Sequence, residues 1–127
     1  MASKRKWPKS AEARRALFLP AWVAALRSGK YKQGRSRRRG DDHFCCLGVG
    51  CNLGRHKAWE WSGNFARYRG PDGEADANHP PDSVLRLWGI GFADACELSS
   101  LNDCDEYTFE QIADWIEQRW PEAFATH

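Results

Sequence analysis

The spacing of apolar positions along the chain changes several times, and each change predicts an element. Leu19, Trp22, Val23 and Leu26 stand at i, i+3, i+4 and i+7, which is one helical face. Ser10 is placed to cap a short helix over Ala11 to Phe18. Pro20 suits the first turn of a helix and breaks the interior of one, so a second helix is expected from there to a C-cap at Gly29. Leu47 to Leu53 reads as either a short helix or a buried strand, with a short buried helix ending near Gly54 favoured, although Gly48 and Gly50 each cost about 1 kcal/mol against Ala in a helix interior. Ala58 to Trp61 and Phe65 to Tyr68 flank Ser62-Gly63-Asn64, a pattern that predicts a hairpin with Trp59 and Trp61 on one buried face. Pro71-Asp72-Gly73 is a turn within a loop that runs from Gly70 to Pro81. Helices follow from Pro81 to Trp88, stopped by Gly89, and over about Ala93 to Leu101. The last helix is the clearest: Thr108 and Gln111 form a capping box, Phe109, Ile112, Ala113 and Ile116 share a face, and Pro121 lies beyond its end.

The expected fold class is therefore α+β, with four or five short helices packed on a small antiparallel hairpin or sheet. Residues 1–9 read as a flexible basic arm and residues 10–127 as a single compact domain. Trp22, Phe44, Leu47, Val49, Leu85, Leu101, Phe109, Ile112 and Ile116 are the expected core.

Composition narrows the class. The 127 residues are 42% hydrophobic and 13% aromatic with seven Trp, which is too apolar for a disordered chain. No apolar run approaches the roughly 20 residues of a membrane span, and no signal-peptide pattern opens the chain, so a cytoplasmic protein with no membrane partner is expected. Five cysteines and no secretion signal argue against a disulfide framework. Charge is divided: residues 1–40 carry 13 Lys/Arg against Glu12 (+12), residues 41–127 carry 6 against 16 Asp/Glu (−10), and the sum is +2. Such asymmetry points to an anionic partner for the basic end, or to two ends that neutralise each other across the surface.

The candidate chemistry follows from that charge. Lys30, Tyr31, Lys32, Gln33, Arg35, Arg37, Arg38 and Arg39 form a basic stretch with one aromatic ring and one amide. Lys and Arg neutralise phosphates, a Tyr ring stacks a base, and Gln can both donate to and accept from a base edge. The alternative is a solvated basic loop with Tyr31 covering the edge of the core. Cys45, Cys46, Cys51 and His56 invite a zinc reading, but adjacent cysteines diverge on a strand, and small buried core residues are the simpler assignment. A nucleophilic Cys45 or Cys46 activated by His43 or His56 lacks any local signature. Asp103 and Asp105 with Asp114 lack the glycine and the glutamate of a calcium loop and read as capping and turn residues. Trp59, Trp61, Phe65 and Tyr68, with Arg67 and Arg69, are either a packed hairpin or an exposed stacking surface. No catalytic residue, metal or cofactor is assigned.

Three motifs carry a family resemblance. Lys30-Tyr31-x-Gln33-Gly34 after the Trp22 to Gly29 segment, Phe44-Cys45-Cys46-Leu47-Gly48-Val49-x-Cys51, and Leu101-Asn102-Asp103 with Phe109-x-x-Ile112-Ala113-x-Trp115-Ile116 resemble, in order, a family of small proteins of tailed phages and prophages. The match runs from about residue 22 to residue 118. Gly50 stands where a larger apolar residue is common in that family, Asp105-Glu106 where a Gly turn is common, and Arg37 to Arg39 are unusually basic. The resemblance implies a phage or prophage origin and a role in the host cytoplasm, not in a virion coat, a setting that suits interference with host defence or with nucleic-acid metabolism.

The residues and the resemblance together lead to the expectation of a non-enzymatic binding protein that holds a phosphate-bearing ligand, nucleotide or nucleic acid. One alternative is an inhibitor that binds a host protein through its acidic C-terminal half, where nine Asp/Glu and one Arg lie between Asp94 and Glu122. The other is a small thiol-dependent or nucleotide-processing enzyme.

Overall fold

The computed structural model describes residues 8–34, 44–55, 59–62, 65–69, 75–76 and 82–125, with side chains for 8–34, 44–53 and 84–125. The order is α1 (Ala11–Arg27), α2 (Cys46–Arg55), three short strands β1 (Trp59–Ser62), β2 (Phe65–Arg69) and β3 (Ala75–Asp76), then α3 (Asp82–Trp88), α4 (Phe92–Asp103), α5 (Phe109–Arg119) and a 3-10 turn at Pro121–Phe124.

The fold is helical, which corrects the α+β expectation. Of the residues whose side chains are described, 72% are helical and 3% extended. The described core is helix packed on helix: α1 lies against α2, α3, α5 and the 3-10 turn, and α4 bridges α2 and α5. The strands pair antiparallel in the order β1-β2-β3, with Trp59 opposite Tyr68, but contribute no described side chain to that core. The expected burial of Trp59 and Trp61 and the aromatic-basic cluster around them lie outside the described side chains. No helix among the described residues is long and apolar enough to cross a membrane.

Pro20 does not divide α1. The Ser10 hydroxyl accepts from the Ala13 amide at 3.1 Å, and one helix runs from there to Arg27. An interior proline costs about 3 kcal/mol. On either side of it Phe18, Leu19, Trp22, Val23 and Leu26 are buried, and each such side chain contributes about 1.5–3 kcal/mol, enough to hold the helix continuous. Gly29, at φ +77°, turns the chain away just past the end.

α3 ends in a Schellman motif: Gly89, at φ +82°, donates to Arg86 O and Ile90 donates to Leu85 O, both at 3.1 Å. Two cations of α1 close the same end, with Arg14 Nε 2.7 Å from Arg86 O and Arg15 Nη1 2.9 Å from Gly89 O. At the centre, Phe18 stacks on Trp88 with centroids 4.8 Å apart, and Trp22 tilts against Trp88 at 5.1 Å. Trp22 Nε1 donates to Cys46 O at 2.9 Å, which satisfies a buried indole and ties α1 to the start of α2. Of the expected core residues all are buried except Phe44, which is partly exposed. The Thr108–Gln111 capping box is formed in both directions.

Candidate functional site

The basic stretch begins where α1 stops. Ser28 Oγ accepts from the Lys30 amide at 3.1 Å, and the chain then runs extended. Gln33 and Phe44 form a parallel bridge, with Gly34 N to Phe44 O at 2.7 Å and Phe44 N to Lys32 O at 2.8 Å. Extended backbone sends alternate side chains to opposite sides. Tyr31 and Gln33 are half-buried, whereas Lys30 and Lys32 are exposed. The four residues read from sequence as one site therefore divide into an inward pair and an outward pair.

The inward pair is held by the other motifs. Gln33 Nε2 donates to Asn102 Oδ1 and to Tyr107 O, both at 2.8 Å. Asn102, fully buried at the end of α4, donates through Nδ2 to Gly34 O at 2.9 Å and to Asp103 Oδ1 at 2.7 Å. Both Gln33 N–H groups are thus engaged within the protein, so this amide is a latch and not a donor to a base edge. The Tyr31 ring meets Phe44 edge-on at 5.0 Å, and its hydroxyl accepts from Asn52 Nδ2 at 3.1 Å. Asn52 and Tyr107 were not among the sequence candidates. Their signal was only that each is polar beside an apolar helical run.

Beside this latch lies a groove of 390 Å³, lined by Ala21, Ala24, Ala25, Ser28, Lys30, Tyr31 and Leu53. Its floor is the outward face of α1, where short side chains leave room. Tyr31, Leu53 and the exposed Lys30 line it beside those short side chains. Arg35, Arg37, Arg38 and Arg39 lie outside the described residues.

The other candidates fall into place differently. Cys45, Cys46 and Cys51 are buried at the start of α2 and within it, and the Cys46 thiol lies 3.6 Å from Leu98 O. Burial pushes the Cys46 thiol well above its ordinary pKa, with the neighbouring Cys45 adding to the rise, the opposite of what a nucleophile requires. His43 and His56 lie outside the described residues. Among the described residues no group of three His, Cys, Asp or Glu is placed to hold a metal.

Between Asp94 and Glu122, five of the nine acidic side chains meet an arginine. Arg27 meets Glu110 and Glu117 at 3.0 Å and also Asp114, drawing α5 onto α1. Hydrogen bonds, first from Glu117 and then from Glu110 and Asp114, outweigh burial and hold the guanidinium above its ordinary pKa. Arg119 pairs with Asp94 at 3.4 Å and Arg15 with Glu122 at 3.8 Å.

Neither the curated proteins nor the solved structures give a match to this chain. One family model does match, over residues 19–94, a span that takes in the Lys30–Gly34 segment, the cysteine motif and the groove but stops short of Asn102. On that match across more than half of its length, the chain belongs to the DUF8296 family, a domain of unknown function.

Proposed function

We propose that the protein is a non-catalytic accessory protein of tailed-phage or prophage origin that binds a phosphate-bearing ligand, nucleotide or nucleic acid, in the host cytoplasm and so interferes with host defence. The observation that carries this reading is the outward projection of Lys30 and Lys32 from a backbone that Gln33 and Asn102 hold in place beside an open groove. A pre-positioned cation loses less freedom on binding than one on a slack loop. The sequence that follows adds Arg35 and Arg37 to Arg39, whose guanidinium groups match phosphate oxygens two at a time.

Internal ion pairs favour this reading over an acidic decoy for a host protein. Five of the nine acidic side chains between Asp94 and Glu122, namely Asp94, Glu110, Asp114, Glu117 and Glu122, already meet an arginine of the same chain. The buried thiols likewise disfavour a thiol enzyme.

The test is fluorescence anisotropy with a labelled oligonucleotide and with a nucleoside triphosphate across a salt series. Binding should weaken steeply with salt, and Lys30→Ala should lower the slope of log K against log salt by about 0.7 for a single strand. Absence of binding to either probe at low ionic strength refutes the proposal.

A further inference from the structure

We infer that the groove on α1 receives one base of a single-stranded nucleic acid, with the adjoining phosphate on Lys30. The inference rests on the phosphate-binding reading above and names the ligand of that site.

Shape comes first. The 390 Å³ groove lies near the lower end of the roughly 300–1,000 Å³ of small-ligand sites, which suits one nucleotide unit. Ala21 and Ala24 are exposed on the face of α1 opposite Trp22 and Leu26, so the floor is low and apolar and a planar ring can lie against it. Tyr31, which lines the groove, has its ring fixed in orientation by Phe44 and by Asn52. Leu53, 38% exposed, lines it too.

Chemistry comes second. An apolar slot with a single cation in its lining matches a ligand that is flat and apolar on its faces and anionic at one end. Inorganic phosphate or a sugar phosphate would leave the apolar lining in water. A base joined to a phosphodiester uses both, because every base has a stacking face.

Charge decides between a free nucleotide and a strand. Arg14, Arg15 and Arg27 are engaged within the chain, but the Lys30–Arg39 stretch that begins at the groove has six cations in its sequence. One nucleotide seated in one groove needs one or two of these. A polyanion that places one base in the slot has further phosphates for the others.

The experiment compares labelled dT12 and rU12 with a 12-mer of abasic residues, and dTMP as competitor, at low ionic strength. Wild type should bind dT12 or rU12 about tenfold or more tightly than the abasic strand, and dTMP should compete only at far higher concentration. Ala24→Trp fills the slot from an exposed position and Leu53→Glu puts a carboxylate into it. Each should remove the preference for bases while leaving abasic binding within about twofold, and thermal melting identifies which of the two stays folded. Equal binding of base-bearing and abasic strands, unchanged by the variant that stays folded, overturns the groove inference and leaves phosphate binding standing. dTMP binding as tightly as dT12 overturns the strand as the ligand. No binding of any probe overturns the underlying reading as well.

Discussion

Replacing Asn102 with Ala should loosen the protein and its candidate site together. Asn102 is fully buried, accepts from Gln33 at 2.8 Å and donates to Gly34 O at 2.9 Å and Asp103 at 2.7 Å. Each bond is worth about 0.5–1.5 kcal/mol net, and a partner left buried without a substitute costs about 1–3 kcal/mol. Gln33 keeps its second bond, to Tyr107 O, which limits the loss on that side. The expected destabilisation is about 2–4 kcal/mol, a large fraction of the 5–15 kcal/mol typical of a folded domain. Urea unfolding reads this as a midpoint about 1–2 M lower. Gln33→Ala should cost less, and the double variant should fall short of the sum by about 1 kcal/mol because the two changes remove one shared bond. An Asn102→Ala protein within about 0.5 kcal/mol of wild type would refute the latch.

Four further outcomes follow from the packing. A thiol reagent at pH 8 should modify the exposed Cys96 and Cys104 rapidly and Cys45, Cys46 and Cys51 only on unfolding, a two-and-three split readable by mass spectrometry. Arg27→Ala should cost about 1–2 kcal/mol, since its three carboxylate partners are partly exposed and solvent screens each pair, and the loss should shrink in high salt. Glu106, at φ 57°, is the one non-glycine residue in the left-handed region among those described, so Glu106→Gly should leave stability unchanged or raise it by up to about 1 kcal/mol in thermal melts. Gly50→Ala gains about 1 kcal/mol of helix preference. Its new Cβ would sit 2.8 Å from Trp88 Cη2 and 3.2 Å from Trp22 Nε1. Overpacking of about 1–3 kcal/mol makes the net change destabilising.

What the sequence reveals depends on how local the deciding physics is. The α5 capping box, the Gly89 stop and the face of Phe109, Ile112 and Ile116 are settled within a few residues, and all are present. Pro20 misleads because its cost is local while the compensation is not: Phe18 and Trp22 are buried against Trp88, which lies 70 residues from Phe18 in the chain. The layer arrangement fails for the same reason. Aromatic pairs around 59–68 signal strands, yet nothing in that stretch states whether helices will pack on it or on each other. Gly50 is similar, since its tolerance of a small side chain is set by two tryptophans from other helices. The site was legible as charge but not as geometry. Lys30 and Lys32 are where a ligand can reach them, whereas the partner that holds Gln33 is an asparagine 69 positions away.

That separation bears on how the motifs are to be understood. In Lys30-Tyr31-Lys32-Gln33-Gly34, the aromatic, the amide and the glycine are tied into the fold: the ring packs on Phe44, the amide ties to α4, and the Gly34 carbonyl takes the Asn102 donor. Lys30 and Lys32 are the exposed side chains of the segment. Two classes of variant should therefore part company. Changes at Gln33 or Asn102 should lower the unfolding midpoint and weaken binding only through loss of order, so that a stabilising osmolyte restores both. A change at the exposed Lys30 should leave unfolding within about 0.5 kcal/mol of wild type and weaken binding in a way that added salt, and not temperature, mimics. If the Lys30 variant instead unfolds early and binds normally once refolded, that lysine is structural too, and the ligand site must be sought on another face.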